Sequence, residues 1–362
     1  MVGDRIRLAR EFVEMSQKDL AALLGMQQAT VAYLESGRHR ASDTVIAGVA
    51  KTTGFPAAFF QDIPLDAFPE GSLVFRRRKR TSAAEVRRAY TTARLGWEFA
   101  GSLLRQVKAW PLRLPIMDEE DPVAAAAVTR SAFGLSPDEP LMNLAGKIEM
   151  LGVPVLEIDR ELNDLDGFSL WAGLPTPRPL IGVNARCSGD RQRWTLAHEL
   201  GHLVLHGAIR GSVDAVEMQA DAFAAELLLP ESGIREEFVA PLTLSQLCEL
   251  KGRWRVSLAG LIRRAHELAL INDRRKTDLF VQLGKQGWRK VEPIPIAPER
   301  AQTLVQLIAA VHGRSADLTA VLQQEHLPRD LAAALSIEWG RLRVVRSNDK
   351  LPTVGPQSRA NI

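Results

Sequence analysis

Five consecutive residues, His198-Glu199-Leu200-Gly201-His202, spell H-E-x-x-H inside an apolar, helix-like run from Trp194 to Leu205. On an α-helix, residues four apart sit about 40° apart around the axis and about 6 Å apart along it, so both imidazoles reach one cation. Glu199 lies beside them, placed to take a proton from metal-bound water rather than to bind the metal, which is the division of labour of a zinc peptidase. A catalytic zinc usually has three protein ligands, so the third must come from an element packed against this helix. The next segment, Glu217 to Pro230, is a strong helix former with apolar residues at Ala220, Phe223, Ala224, Leu227 and Leu228. Glu217 is the expected third ligand. Asp221, one turn later on the same face, is placed to accept the outer N–H of a ligand histidine and fix its tautomer. Glu226 competes as a ligand but lies about 180° away around the helix axis. Small Gly201 lets another element approach.

The pattern predicts peptide-bond hydrolysis with Zn2+ as cofactor, His198, His202 and Glu217 as ligands and Glu199 as general base. An oxyanion donor is harder to find. Both tyrosines, Tyr33 and Tyr90, lie far upstream. His206 is the first candidate, ahead of Arg191, Arg193 and Asn184. Two other readings of His206 stay open, a third histidine ligand and a partly buried polar residue. Cys187, shortly before the helix, is placed either to approach the metal or to serve as a plain buried thiol.

The residues Arg191 to Ala197 before the motif, the motif itself, and Glu217-x-x-Ala220-Asp221-x-Phe223-Ala224-Ala225 ending at Pro230 resemble the ImmA/IrrE family of zinc peptidases. The resemblance extends upstream to Asp166-Gly167-Phe168-Ser169 and Pro179 to Asn184, which look like that family's two strands before the active-site helix. It implies a zincin-like α+β core, the same three zinc ligands and the same base, with Asp221 where the family often has Asn. It also implies a helix-turn-helix repressor as substrate, cleaved to relieve repression of stress or mobile-element genes. The strand Leu180 to Val183 is expected to pair with extended substrate backbone, an expectation that fails if both its edges are already paired.

A second signal occupies the first sixty residues. A helix opens with Arg5 to Arg10, and Ser16 to Gly25 reads as an N-capped helix closing on glycine. A third helix starts near Gln27 and stops at Ser36-Gly37-Arg38, and the whole resembles the XRE class of repressor-type helix-turn-helix domains. In that geometry Gln27, Gln28, Thr30 and Tyr33 face base edges of a double-stranded DNA operator, while Gln17, Arg38 and Arg40 hold phosphates. The near-balanced charge of this segment keeps a protein-binding role open. Basic charge comes just afterwards, in Arg76 to Arg80 and in a helix-like stretch carrying Arg87, Arg88, Arg94 and Arg105, which reads either as a phosphate-tracking helix or as a solvated connector.

With 362 residues the chain is too long for one ordinary core. The expected fold is multi-domain and mainly α with a small α+β domain: a five-helix XRE-like domain at 1–63, a basic helical linker at 64–120, the peptidase core at 121–232, a helix-turn-helix-like extension at 233–295, C-terminal helices at 296–346 and a flexible tail at 347–362. No apolar run is long enough to cross a membrane, no secretory signal opens the chain, and two unpaired cysteines fit a reducing compartment. A cytoplasmic location follows. The formal net charge of +3 is too small to name a partner, and a homodimer stays open. Two functions compete: a DNA-binding regulatory metalloendopeptidase, and a transcription regulator whose zinc site is structural or sensory.

Overall fold

The computed structural model describes residues 2–61, 68, 82–107, 111–117, 121–162, 164–173, 176–206 and 213–338. The basic run Arg76 to Arg80 and the polar tail from Ser347 lie outside them. The expected mainly helical, multi-domain architecture holds.

Helices α1 (Val2–Phe12), α2 (Gln17–Leu23), α3 (Gln28–Glu35) and α4 (Asp43–Thr53) form the N-terminal unit. Its fifth helix is the short 3-10 helix Ala57–Phe60. Ser16 and Asp19 start α2 with a reciprocal capping box, which satisfies N–H groups that a helix start otherwise leaves open. Ile6, Leu8, Ala9 and Phe12 of α1 pack with Val31, Leu34, Phe55, Phe59 and Phe60. Arg10 holds the end of α3 by two bonds to Glu35, at 2.6 and 3.0 Å.

The helix α5 (Ala83–Gln106) is not a solvated connector. Ala89, Ala93, Leu95, Trp97, Phe99, Ala100 and Leu103 are buried. Arg94 is also buried and pairs with Asp4 of α1, and Arg5 pairs with Glu98. A guanidinium taken from water this far needs a carboxylate partner, so these pairs fix how α5 lies on the N-terminal unit.

After α6 (Pro122–Ala132) and α7 (Leu144–Met150) come β1 (Val155–Ile158), β2 (Gly167–Ala172) and β3 (Arg178–Asn184), in the order β1-β3-β2. The strand β3 is parallel to β1 and antiparallel to β2. It is therefore internal with both edges paired, which overturns the expectation that Leu180 to Val183 receives substrate backbone. Among the described residues the outer edge of β2 is unpaired.

Alternation along the strands turns the sheet into a wall between two cores. Leu156, Ile158, Phe168, Leu170 and Leu180 face a core shared with α1, α5 and the C-terminal helices. Val155, Ile181 and Val183 face the other, shared with α8 (Gly189–Leu205) and α9 (Val213–Leu228). The short α10 (Glu231–Ile234) leads to α11 (Leu244–Trp254), α12 (Leu258–Glu267) and α13 (Asp273–Lys285), which extend this second core. The last helices, α14 (Thr303–His312), α15 (Leu318–Gln324) and α16 (Leu331–Ala334), return to the first. No helix among the described residues is long and apolar enough to cross a membrane.

Candidate metal centre and nucleic-acid face

Leu196, Ala197, Leu200, Leu203 and Val204 bury one side of α8, which leaves His198, Glu199 and His202 directed toward α9 and β2. Two glycines permit the approach. A Cβ on Gly201 would stand 2.9 Å from the Phe223 ring of α9, and one on Gly167 of β2 would stand 2.4 Å from Thr195 Cγ2. Only glycine lets these backbones come so close.

The result is a cleft of about 220 Å³ lined by Asp164, Asp166, Trp194, His198, Glu199, His202, Glu217 and Asp221, among others. His198 Nε2 and His202 Nε2 are 3.1 Å apart, and Glu217 offers Oε2 at 3.2 Å from the first and Oε1 at 3.3 Å from the second. Three ligands bound at zinc-like distances around a tetrahedral ion stand about 3.4 Å from one another, so this donor set fits a zinc ion. Two imidazole nitrogens facing each other across 3.1 Å also need a proton or a cation between them. Burial disfavours a charged His198, but hydrogen bonds to Asp221 and Glu217 outweigh it and raise its pKa to about 10. The same bonds from His198 and His202 hold Glu217 far below the usual carboxylate range.

Asp221 Oδ1 lies 2.8 Å from His198 Nδ1, the ring nitrogen turned away from the donor cluster. Among the described residues His202 Nδ1 is buried with no hydrogen-bond partner. Glu199 is 5% exposed, and Ser169 Oγ of β2 donates to its Oε2 at 2.7 Å. The sequence reading assigned no role to Ser169. Its signal was a lone polar residue on a strand otherwise apolar from Phe168 to Ala172.

His206 lies at the end of α8, its ring centroid 5.4 Å from that of His202. It stands four residues after His202, but α8 ends at Leu205 and His206 has φ −128° and ψ 48°, which turns it off the helical face. It does not line the cleft, and its Nε2 lies 2.8 Å from Gln219 Oε1. Of the other candidates for the oxyanion role, Arg193 and Asn184 are engaged away from the cleft, and Arg191 is held by the cleft-lining Asp166. Arg193 is buried against Glu299 and the Leu141 carbonyl, Asn184 bonds the Leu162 carbonyl, and Arg191 pairs with Asp166 at 2.7 Å. Glu226 pairs with Arg264. Cys187 Sγ lies 3.7 Å from Asp166 Oδ1.

On the N-terminal unit, Val31 and Leu34 face inward, so Gln27, Gln28 and Tyr33 are exposed and Thr30 half-buried. Arg38 and Arg40 are exposed, the former over the Tyr33 ring at 5.8 Å. Gln17 differs: its Nε2 donates to Glu35 at 2.8 Å. The cleft rim is tied to this unit, because Arg160 donates to the Phe12 carbonyl at 3.3 Å, Arg88 to the Glu161 carbonyl at 2.8 Å, and the Asp164 N–H to Glu85 at 3.0 Å.

None of the curated proteins matches the chain. Two family models do. Residues 148–270, which contain the cleft helices, match the IrrE N-terminal-like domain of the M78 peptidases, and residues 2–59 match a helix-turn-helix domain, so the chain carries a helix-turn-helix domain followed by a peptidase domain.

Proposed function

We propose that the protein is a DNA-binding regulatory zinc metalloendopeptidase that cleaves a helix-turn-helix repressor, with residues 1–63 reading an operator and 121–232 forming the peptidase core. The observation that carries this reading is the mutual 3.1–3.3 Å spacing of the His198, His202 and Glu217 donors beside the buried Glu199. In it, these three residues hold zinc, which when bound supplies a Lewis acid for the scissile carbonyl and an acidic water. Asp221 holds the His198 ring with its outer nitrogen protonated. Ser169 anchors one oxygen of Glu199, and the carboxylate takes the proton of the attacking water and returns it to the leaving amine. The open outer edge of β2, which carries Ser169, pairs with the extended substrate backbone.

The test is the zinc content of wild type and Glu217→Ala after dialysis against a weak chelator. Close to one zinc per chain in the wild type with a large loss in the variant supports the ligand set. No zinc in the wild type overturns it. Cleavage of a repressor by the zinc-loaded wild type, absent in Glu199→Gln, separates a peptidase from a regulator with a sensory metal.

A further inference from the structure

We propose that the groove between the start of α2 and the first turns of α5 seats the sugar-phosphate backbone of double-stranded DNA, with Arg87 supplying a phosphate contact from outside the helix-turn-helix domain. This rests on the DNA-binding half of the function proposed above.

The structure sorts the arginines of α5. Arg94 is buried against Asp4. Arg88 pairs with Glu14 at 3.0 Å and bonds the Glu161 carbonyl. Arg105 sits near the far end of the helix. The Arg87 side chain is exposed, has no ion pair or hydrogen bond among the described residues, and lines a groove of about 450 Å³. The opposite wall is Ser16, Gln17 and Lys18, the residues that start α2, and Gln28, the first residue of α3.

Charge in the groove favours a polyanion. Glu14 is matched by Arg88, and Glu11 lies 3.5 Å from Arg10, which it shares with Glu35. Lys18 and Arg87, one on each wall, form no ion pair among the described residues. A backbone running between them meets a cation on both sides, and each neutralised phosphate releases condensed counterions. The groove is also continuous with the reading face, because Gln28 belongs to both. The helix that carries Arg87 is held in place, since Arg5–Glu98 and Asp4–Arg94 clamp α5 onto α1. A guanidinium carried on it matches phosphate geometry.

The test uses the full-length protein and a random-sequence duplex of about 30 base pairs. Binding is followed by fluorescence anisotropy from about 50 to 300 mM KCl. Arg87→Ala is expected to weaken binding roughly tenfold at the lowest salt and to lower the slope of log K against log salt by about 0.9, the share of one phosphate. Arg87→Lys keeps the slope. Arg105→Ala, the same charge loss at the other end of α5, stays within about twofold of wild type. Wild-type binding with Arg87→Ala unchanged, or an equal loss in Arg105→Ala, overturns the groove while leaving the helix-turn-helix as a DNA reader. Failure of the wild type to bind any duplex overturns both.

Discussion

The cleft and the DNA face solve opposite problems. In the cleft, a second residue holds functional side chains before any substrate arrives: Asp221 on His198, Ser169 on Glu199, and Glu217 against both imidazoles. On the proposed DNA face, Gln27, Gln28 and Arg40 project into solvent with no such support among the described residues. Bond-making chemistry requires atoms placed within a fraction of an ångström, so its donors are buried and braced. Sequence reading gathers many modest contacts that the duplex itself helps to order. Single substitutions should therefore be severe on one side and graded on the other.

The largest effect expected is at Glu199. Glu199→Gln should lower turnover by about 10²–10⁴-fold while leaving zinc content unchanged. Turnover near wild type would remove the contrast at its strongest point. Next is the buried pair that joins α1 to α5. Arg5→Ala leaves Glu98 with Arg94 at 3.4 Å as its remaining partner and should cost about 1–3 kcal/mol, read as a drop in the chemical-denaturation midpoint. A surface-like loss below about 1 kcal/mol would mean that α5 is held by its apolar face alone.

Asp221→Ala leaves all three donors in place and should weaken zinc affinity about 10–100-fold. Competition with a chromophoric chelator measures it. The pH dependence follows from His198, whose pKa of about 10 in the metal-free protein is raised above the ordinary 6.5. Stability from its protonated form is therefore complete below about 6.5 and lost as pH rises through about 10. Zinc binding near pH 7.5 must displace that proton, so calorimetry in buffers of different ionisation enthalpy should show release of about one proton per zinc. Release of none would mean that His198 is already neutral. The smallest effect belongs to the other region: Gln28→Ala should cost about 1–3 kcal/mol of discrimination at one base pair, measured by selection from randomised duplexes.

These two regions were also unequally legible in sequence. The H-E-x-x-H run and the carboxylate-bearing helix after it are local patterns whose period encodes their facing. At His206 the same spacing carries past the helix end, where the backbone angles no longer follow the helix, so spacing alone does not give its facing. The helix α5 resists reading for another reason. Its arginines drew attention to charge, while Ala89, Ala93, Trp97 and Ala100 recorded a buried face in small and aromatic residues that weigh little in a charge reading. The Asp4–Arg94 pair bridges 90 positions and has no local signature. Strand order is similarly non-local, which is why the central place of β3 had to be seen rather than inferred.

The ties from Arg88, Glu85 and the Phe12 carbonyl to the loop between β1 and β2 join the rim of the cleft to the helical units that carry Gln28 and Arg87. On a duplex, the cleft then keeps one compass bearing around the DNA axis. B-DNA turns once in about 10.5 base pairs, so a target bound half a turn nearer or farther sits on the opposite side of the duplex. Whole-turn spacings present such a target to the cleft and half-turn spacings hide it, so separation along the DNA is converted into angle.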